Sequence, residues 1–129
     1  MNDLIIDATT SKIFLTLIKN NKNIYTSKHE NSKNNFDKLV ILIESLLHKS
    51  KILIKNINRI YVNRGPGSFA GIRNSLSVVK AIHLVNKIDY YCFSFRDFYG
   101  ENHIKYEFIP DLCKKFKVEK NLINPIYSG

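Results

Sequence analysis

The chain has 129 residues, of which 44% are hydrophobic, and carries a formal net charge of +9 from 20 basic and 11 acidic residues. This is enough for one domain with a core of its own. The two cysteines form no C-x-x-C pair, and the longest apolar run, 39–43, is far shorter than a membrane span, so a disulfide framework and a membrane protein are both disfavoured.

The N-terminus and the basic charge bear on where the protein resides and which partners it could attract. The apolar run that follows Met1 ends at Asp7 and has no basic region before it, so no signal peptide is predicted and we expect a cytoplasmic protein. Positive charge attracts nucleic acids and acidic partners. The lysines, however, are spread from Lys12 to Lys120 without a dense block, which favours a generally solvated basic surface.

Hydrophobic periodicity predicts an α/β domain. Strands are expected at 4–6, 13–18, 24–27, 57–62 and 88–94, and helices at 34–49 and from residue 68 onward. Beyond residue 100 the pattern weakens to a strand over 104–109 and a short helix over 111–116. The order β-β-β-α-β-α-β is that of one RNase H-like lobe with a mixed five-stranded sheet, the lobe that actin-like and sugar-kinase-like proteins use twice.

Each predicted helix has one apolar stripe that should face the sheet. In the first helix the stripe is Phe36, Leu39, Val40, Ile43, Leu46 and Leu47, and in the second it is Ile72, Leu76, Val78, Val79, Ile82 and Val85. Ile41 stands on the opposite side of the first helix, and Arg73, Ser77, Lys80 and Leu84 stand on the opposite side of the second. An isolated exposed Ile is ordinary on a protein surface.

The segment around Gly65-Pro66-Gly67 predicts a strand, a tight turn and a helix capped by Ser68. At least one of the glycines should adopt a positive φ. Backbone N–H groups at the start of a helix attract anions, so Arg64, Gly65, Gly67, Ser68 and Arg73 are candidates for an anion or phosphate loop. A P-loop is excluded because Ile72 and Arg73 follow Gly71, and the G-x-G-x-x-A match at 65–70 is a weak dinucleotide signal.

Few residues suggest catalysis. A nuclease of this fold needs several carboxylates around metal ions, and Asp7 and Glu44 could imitate only two of them. The four histidines have no metal-binding spacing; His83 is expected to be a hydrogen-bonded core residue and Ser68 a cap rather than a nucleophile. No catalytic residue, metal site or cofactor is predicted.

Residues 65–73, Gly-Pro-Gly-Ser-Phe-Ala-Gly-Ile-Arg, resemble the TsaB (YeaZ) family pattern G-R-G-P-G-S-F-T-G-[IV]-R. The resemblance extends over about residues 2–98, from the first strand to the Lys80-Ala81 segment and beyond. The departures are Ala70 for Thr, Asn63 for Gly, and Asn34-Asn35 where the family often has His-Ser. Members of this family, formerly called glycoprotease-like, share an actin-like fold.

The resemblance implies the organisation of the chain and its role. Residues 1–98 would be the N-terminal lobe, and 99–129 a short extension in place of the usual second lobe, with Asn124-Pro125-Ile126-Tyr127 similar to the family's Pro-x-Tyr ending. TsaB-like proteins are non-catalytic partners of a TsaD-type protein, which makes threonylcarbamoyladenosine in tRNA, and a TsaE-type ATPase joins them. Contact with tRNA would be indirect, and a homodimer is left open.

The family pairs through its N-lobe helices, so the outward residues Ile41, Arg73, Ser77, Lys80 and Leu84 are candidates for the partner interface. Asp7 would be structural or a remnant of an ancestral phosphate site. The alternative is a stand-alone RNase H-like or nucleotide-hydrolysing enzyme, and the low number of candidate carboxylates favours the scaffold.

Overall fold

The computed structural model describes residues 1–127, apart from the side chain of Phe36. The strands are β1 (Asp3–Asp7), β2 (Lys12–Lys19), β3 (Asn23–Glu30), β4 (Arg59–Asn63) and β5 (Asp89–Phe93), and the helices are α1 (Lys33–Asp37), α2 (Leu39–Lys49), α3 (Phe69–Asn86) and α4 (Ile109–Lys115). Short 3-10 turns cover Ile54–Asn56, Phe95–Asp97 and Tyr106–Phe108. No helix within residues 1–127 is both long enough and apolar enough to cross a membrane.

The five strands form one mixed sheet in the order β3-β2-β1-β4-β5. β2 runs antiparallel to β1 and β3, whereas β1, β4 and β5 are parallel. The central strand β1 is buried along its whole length, as its continuous apolar run predicts, because both faces of the sheet are covered there. The predicted RNase H-like order of a single α/β lobe is confirmed.

One face of the sheet packs against α2 and α3. Ile43 and Leu47 of α2 and Ile72 and Val79 of α3 are buried in the larger core, together with Leu4 of β1. The predicted helix over 34–49 is interrupted at Lys38, which leaves the helical conformation (φ −111°, ψ 11°) and separates α1 from α2.

Two members of the predicted stripes are exposed, which corrects the prediction for them. Val40 is 47% exposed and Val85 is 78% exposed. Val85 lies about 120° around the helix from the buried Val79, so it falls outside the stripe that reaches the sheet. Val40 stands at the edge of the stripe centred on Leu39 and Ile43, in the first turn of α2. The side chain of Phe36, also predicted for this stripe, lies outside the described residues.

The second face of the sheet is covered by the segment that follows β5. Phe98, Ile109 and Leu112 pack on Ile5 and Tyr61 in a second core. The predicted strand over 104–109 is wrong, because Tyr106–Phe108 is a 3-10 turn that leads into α4. The helix predicted at 111–116 is present as α4. This segment covers apolar strand residues that water would otherwise reach. The division of the chain into a lobe of residues 1–98 and an extension of residues 99–129 stays a prediction.

Candidate functional site

Asp7 is the last residue of the central strand β1. It is buried at the end of the sheet where the parallel strands finish. Its Oδ1 accepts hydrogen bonds from the backbone N–H (3.0 Å) and the hydroxyl (2.7 Å) of Thr9. Its Oδ2 accepts from Nδ2 of Asn63 (3.2 Å) and from the hydroxyl of Tyr106 (2.6 Å). Four donors therefore occupy the carboxylate, and a metal ion or a substrate proton would have to displace one of them.

Tyr106 reaches this carboxylate from the C-terminal segment, 99 residues away in the sequence. Burial raises the pKa of its phenol, and the neighbouring Asp7 carboxylate raises it further. The phenol is thus protonated at neutral pH and acts as a hydrogen-bond donor to Asp7. Phe14 packs on the Tyr106 ring at a centroid distance of 5.6 Å and holds it over the sheet.

The Gly-rich turn connects β4 to α3 in a tightly enclosed backbone conformation. Gly65 has φ +112° and Gly67 has φ +154°, so the predicted positive φ is confirmed at both. A Cβ on Gly65 would collide with the carbonyl oxygen of Ile126, and one on Gly67 with that of Thr9. The hydroxyl of Ser68 accepts from the N–H of Gly71 at 3.1 Å, which confirms the predicted cap.

Arg64 fastens this turn to the C-terminal tail. Its guanidinium donates to Oδ1 of Asp97 at 2.7 Å and to the carbonyl of Asn124 at 3.0 Å. Its backbone carbonyl accepts from the N–H of Ile126 at 2.7 Å. The carboxylate of Asp97 therefore already neutralises the Arg64 charge. Arg73 is exposed on α3 and forms no ion pair within residues 1–127. The anion loop therefore stays a prediction, in which Arg73 is the cation that a bound anion would meet.

The other candidates for chemistry do not gather around Asp7. Glu44 lines a groove of about 590 Å³ with Leu53, Lys55 and Asn86, away from the contacts of Asp7. Within the described residues no three His, Cys, Asp or Glu side chains are grouped to hold a metal ion. His83 is half-buried and bonded through Nδ1 to the carbonyl of Ile88 at 2.9 Å, as a structural histidine would be.

The predicted partner residues lie on the outward side of α2 and α3, which we call the α2–α3 face: Ile41, Arg73, Ser77, Lys80 and Leu84. All five are exposed, and Ile41 (63%) and Leu84 (58%) present apolar side chains to water. The exposed Val40 and Val85, which the helical-wheel prediction placed in the core, belong to the same two helices. Several exposed aliphatic residues on adjacent helices are typical of an interaction surface.

Sequence patterns missed two residues of the site. Asp97 lies in the 3-10 turn Phe95–Asp97, where its carboxylate accepts from the N–H of Ser94 at 2.8 Å and is thereby aimed at Arg64. The short pattern Ser94-x-x-Asp97 could have signalled this turn. Tyr106 has no such local signal, because its partner is at the other end of the chain.

Comparison with known proteins places the chain in a family. Residues 21–94 match the family model described as TsaD: tRNA N6-adenosine threonylcarbamoyltransferase. The "tRNA threonylcarbamoyladenosine biosynthesis protein TsaB" of Buchnera aphidicola subsp. Schizaphis graminum (strain Sg) is 32% identical over 89 residues, which are 68% of this chain and 42% of that protein. The protein of the same name from Buchnera aphidicola subsp. Baizongia pistaciae (strain Bp) is 32% identical over 81 residues, 63% of this chain and 36% of its own length.

Solved structures agree on the fold. YeaZ from Pseudomonas aeruginosa superimposes with a TM-score of 0.67 at 19% identity, over 72% of this chain and 43% of that one. The Thermus thermophilus RuvC in complex with Holliday junction substrate superimposes with a TM-score of 0.54 at 12% identity, over 75% of this chain and 66% of that one. The matches span about two fifths of the curated relatives' length. Because the TsaD model covers more than half of the chain and both curated relatives are named TsaB, this chain belongs to the TsaB (YeaZ) family.

Proposed function

We propose that this chain is a non-catalytic partner of a TsaD-type protein in the formation of threonylcarbamoyladenosine in tRNA. Family membership supplies the pathway. The observation that carries the non-catalytic role is the state of Asp7, whose two carboxylate oxygens are buried and engaged by Thr9, Asn63 and Tyr106. A carboxylate that is held in this way supports the fold rather than a reaction.

The alternative, a stand-alone nuclease or nucleotide-hydrolysing enzyme, requires Asp7 to act as a base or a metal ligand. We expect the purified chain to show no nuclease, peptidase, nucleotide-hydrolysing or tRNA-modifying activity by itself, because among residues 1–127 no group of three metal-binding side chains includes Asp7. Activity should be assayed in the wild type and in Asp7→Asn, which keeps the shape of the side chain. Turnover that persists through purification and disappears in Asp7→Asn would overturn the non-catalytic role.

The partner surface that we propose is the α2–α3 face. A charge at a well-packed apolar interface position commonly costs several kcal/mol of binding, whereas at an exposed position it changes the stability of the monomer little. The double variant Ile41→Asp with Leu84→Asp should therefore remain folded but lose association with the TsaD-type protein. Co-purification of the tagged chain from the same cell measures association, and thermal unfolding by circular dichroism measures folding.

A matched control introduces the same two charges at exposed apolar residues away from this face. Ile24 on the edge strand β3 and Tyr99 after β5 are both exposed, so Ile24→Asp with Tyr99→Asp should associate like the wild type. Unfolding of the Ile41/Leu84 variant would show that these side chains belong to the core. Normal association of that variant would place the interface elsewhere.

The wider assembly follows from the same proposal. A TsaE-type ATPase would join the pair, tRNA would be contacted through the TsaD-type partner, and a homodimer would use the same helices in the partner's absence. Reconstitution of threonylcarbamoyladenosine formation from purified components, with this chain left out or replaced by the Ile41/Leu84 variant, tests these roles together. Formation at the full rate without this chain would contradict the proposed function.

A further inference from the structure

Five lysines that are far apart in the sequence lie at one end of the sheet. We call this the lysine end: Lys22, Lys49, Lys51, Lys55 and Lys87. β2 ends and β3 begins there, and the register pairs Lys19 with Asn23. In the same end row Asp3 pairs with Arg59, and Arg59 with Asp89. α2 leads into β4 and α3 leads into β5, and both strands start at this end. The lysines at and after the C-terminal ends of the two helices therefore lie there.

Hydrogen bonds hold the segments that carry these lysines together. Asn2 accepts at Oδ1 from the N–H of Asn20 at 2.9 Å and donates through Nδ2 to the carbonyl of Asn56 at 2.9 Å. The ammonium of Lys19 donates to the carbonyl of Ser50 at 2.8 Å, which ties the β2–β3 turn to the end of α2. These bonds join three of the segments, and the fourth, which carries Lys87, follows Asn86, a residue that lines one groove with Leu53 and Lys55.

The positive charge of this surface is not compensated by its own acids. Asp3 is bound by the Arg59 guanidinium through two hydrogen bonds of 3.0 and 3.1 Å. Asp89 lies 3.6 Å from the ammonium of Lys120 and accepts from Asn121 at 3.0 Å. Within residues 1–127 no ion pair is recorded for any of the five lysines, and all five are exposed. Glu44, five residues before the end of α2, lines one groove with Lys55, and no ion pair joins the two.

We propose that the lysine end binds the phosphate backbone of RNA without reading its bases. Lysine ammoniums are flexible point charges that match phosphates, and the asparagine side chains around them offer further polar contacts. The described side chains of this end include no exposed aromatic ring to stack on bases, so sequence-independent contact is expected. This inference goes beyond the proposed function, which assigns contact with tRNA to the partner.

An acidic protein surface is the competing occupant. Lysines on four separate turns suit an extended chain of regularly spaced charges, and a nucleic-acid backbone presents such spacing over any length. The test therefore uses two polyanions: a fluorescently labelled, unmodified tRNA transcript as the ligand and polyglutamate as the competitor at equal total charge.

Two quadruple variants of the full chain separate local from overall charge. One replaces Lys49, Lys51, Lys55 and Lys87 with Gln, and the control replaces Lys28, Lys33, Lys38 and Lys105 with Gln. Each variant loses four charges, so the formal net charge falls from +9 to +5 in both. All eight lysines are exposed, and none has a recorded ion pair within residues 1–127.

Binding is measured by fluorescence anisotropy across a salt series. The first variant should lose at least about tenfold in affinity near 0.1 M salt, and its slope of log K against log salt should be shallower by about 3. The control variant should keep most of the wild-type affinity and most of the wild-type slope. Absent binding by the wild type, equal losses in the two variants, or competition by polyglutamate as strong as by RNA would each overturn the proposal. Co-purification of the first variant with the TsaD-type protein should be normal, so failure here is distinguishable from failure of the proposed function.

Discussion

The two ends of the sheet differ in whether their charged groups are bonded within the chain. Where β1 and β4 finish, the carboxylate of Asp7, the guanidinium of Arg64 and the Gly-rich turn are all bonded within the chain, and Asp97, Tyr106 and Asn124 from the segment after β5 supply some of these bonds. Where those strands begin, lysines project into water without acidic partners. The first end is closed by the chain itself and the second is open.

This difference matters because open α/β sheets usually bind ligands at the C-terminal ends of their parallel strands. Here Tyr106 and the tail that contains Asn124 and Ile126 occupy that position. Our two proposals accordingly assign interactions with other molecules to the α2–α3 face and to the lysine end. The comparison predicts that substitutions at the closed end change stability, whereas substitutions at the open end change binding.

The largest expected effect is at Gly67. Gly67→Ala adds a Cβ that meets the carbonyl of Thr9 in a backbone conformation with positive φ, and we expect a loss of about 3 kcal/mol in the free energy of unfolding. Gly100 is the matched control, since it also has a positive φ (+85°) but no atom lies within 4 Å of an added Cβ. Gly100→Ala should cost about 1 kcal/mol in urea unfolding. Equal losses would show that the turn has room and that the closed end is less tightly packed.

A smaller effect is expected at Tyr106. Tyr106→Phe removes the donor to Oδ2 of Asp7 and should cost about 1.5–3 kcal/mol, the range for a hydrogen bond to a charged group. Tyr99, which is 90% exposed, is the control, and Tyr99→Phe should leave the urea midpoint unchanged.

The pH dependence of stability checks the same bond. The folded-state pKa of Tyr106 is raised, so its contribution is complete below about pH 10, the unfolded value, and is lost as the pH rises toward the folded value. Wild-type stability should therefore fall more steeply above pH 10 than that of Tyr106→Phe. Because burial is the largest cause of the raised pKa and Asp7 adds to it, parallel curves would show that the phenol is neither buried nor bonded to Asp7.

The sequence predicted the parts of this fold that local patterns encode. The continuous apolar run of β1, the stripe of Ile72, Leu76 and Val79 on α3, and the Ser68 cap each involve neighbours within a few residues. The segment 104–109 misled the prediction because apolar and polar residues alternate there as in a strand. In the structure Phe108 is exposed, whereas Ile109 and Leu112 are buried in the second core, and this spacing of three residues fits the helix α4 rather than a strand.

The site was less predictable because its hydrogen bonds join residues that are far apart in the sequence. Arg64 meets Asp97 across 33 residues and Asp7 meets Tyr106 across 99, and no spacing rule links either pair. The lysines illustrate the same limit. Their scatter along the chain favoured a generally solvated surface, whereas Lys22 and Lys87 lie at the same end of the sheet because strand direction, not sequence distance, places them there.

The smallest expected effect is at Lys87, and it sharpens the contrast between the two ends. Lys87 ends α3 in the left-handed conformation (φ 58°), with its N–H bonded to the carbonyl of His83 at 2.9 Å, a position at which glycine is usual. Lys87→Gly should relieve this conformation and stabilise the fold by about 0.5–1 kcal/mol, while Lys87→Ala keeps a Cβ and should leave stability nearly unchanged. Both variants remove the same ammonium, so both should weaken RNA binding to the same extent. Thermal unfolding and anisotropy on the same three proteins would therefore separate the backbone from the charge: a stabilised glycine variant with weakened binding is expected at the open end, whereas unchanged binding in both variants would remove Lys87 from the RNA surface.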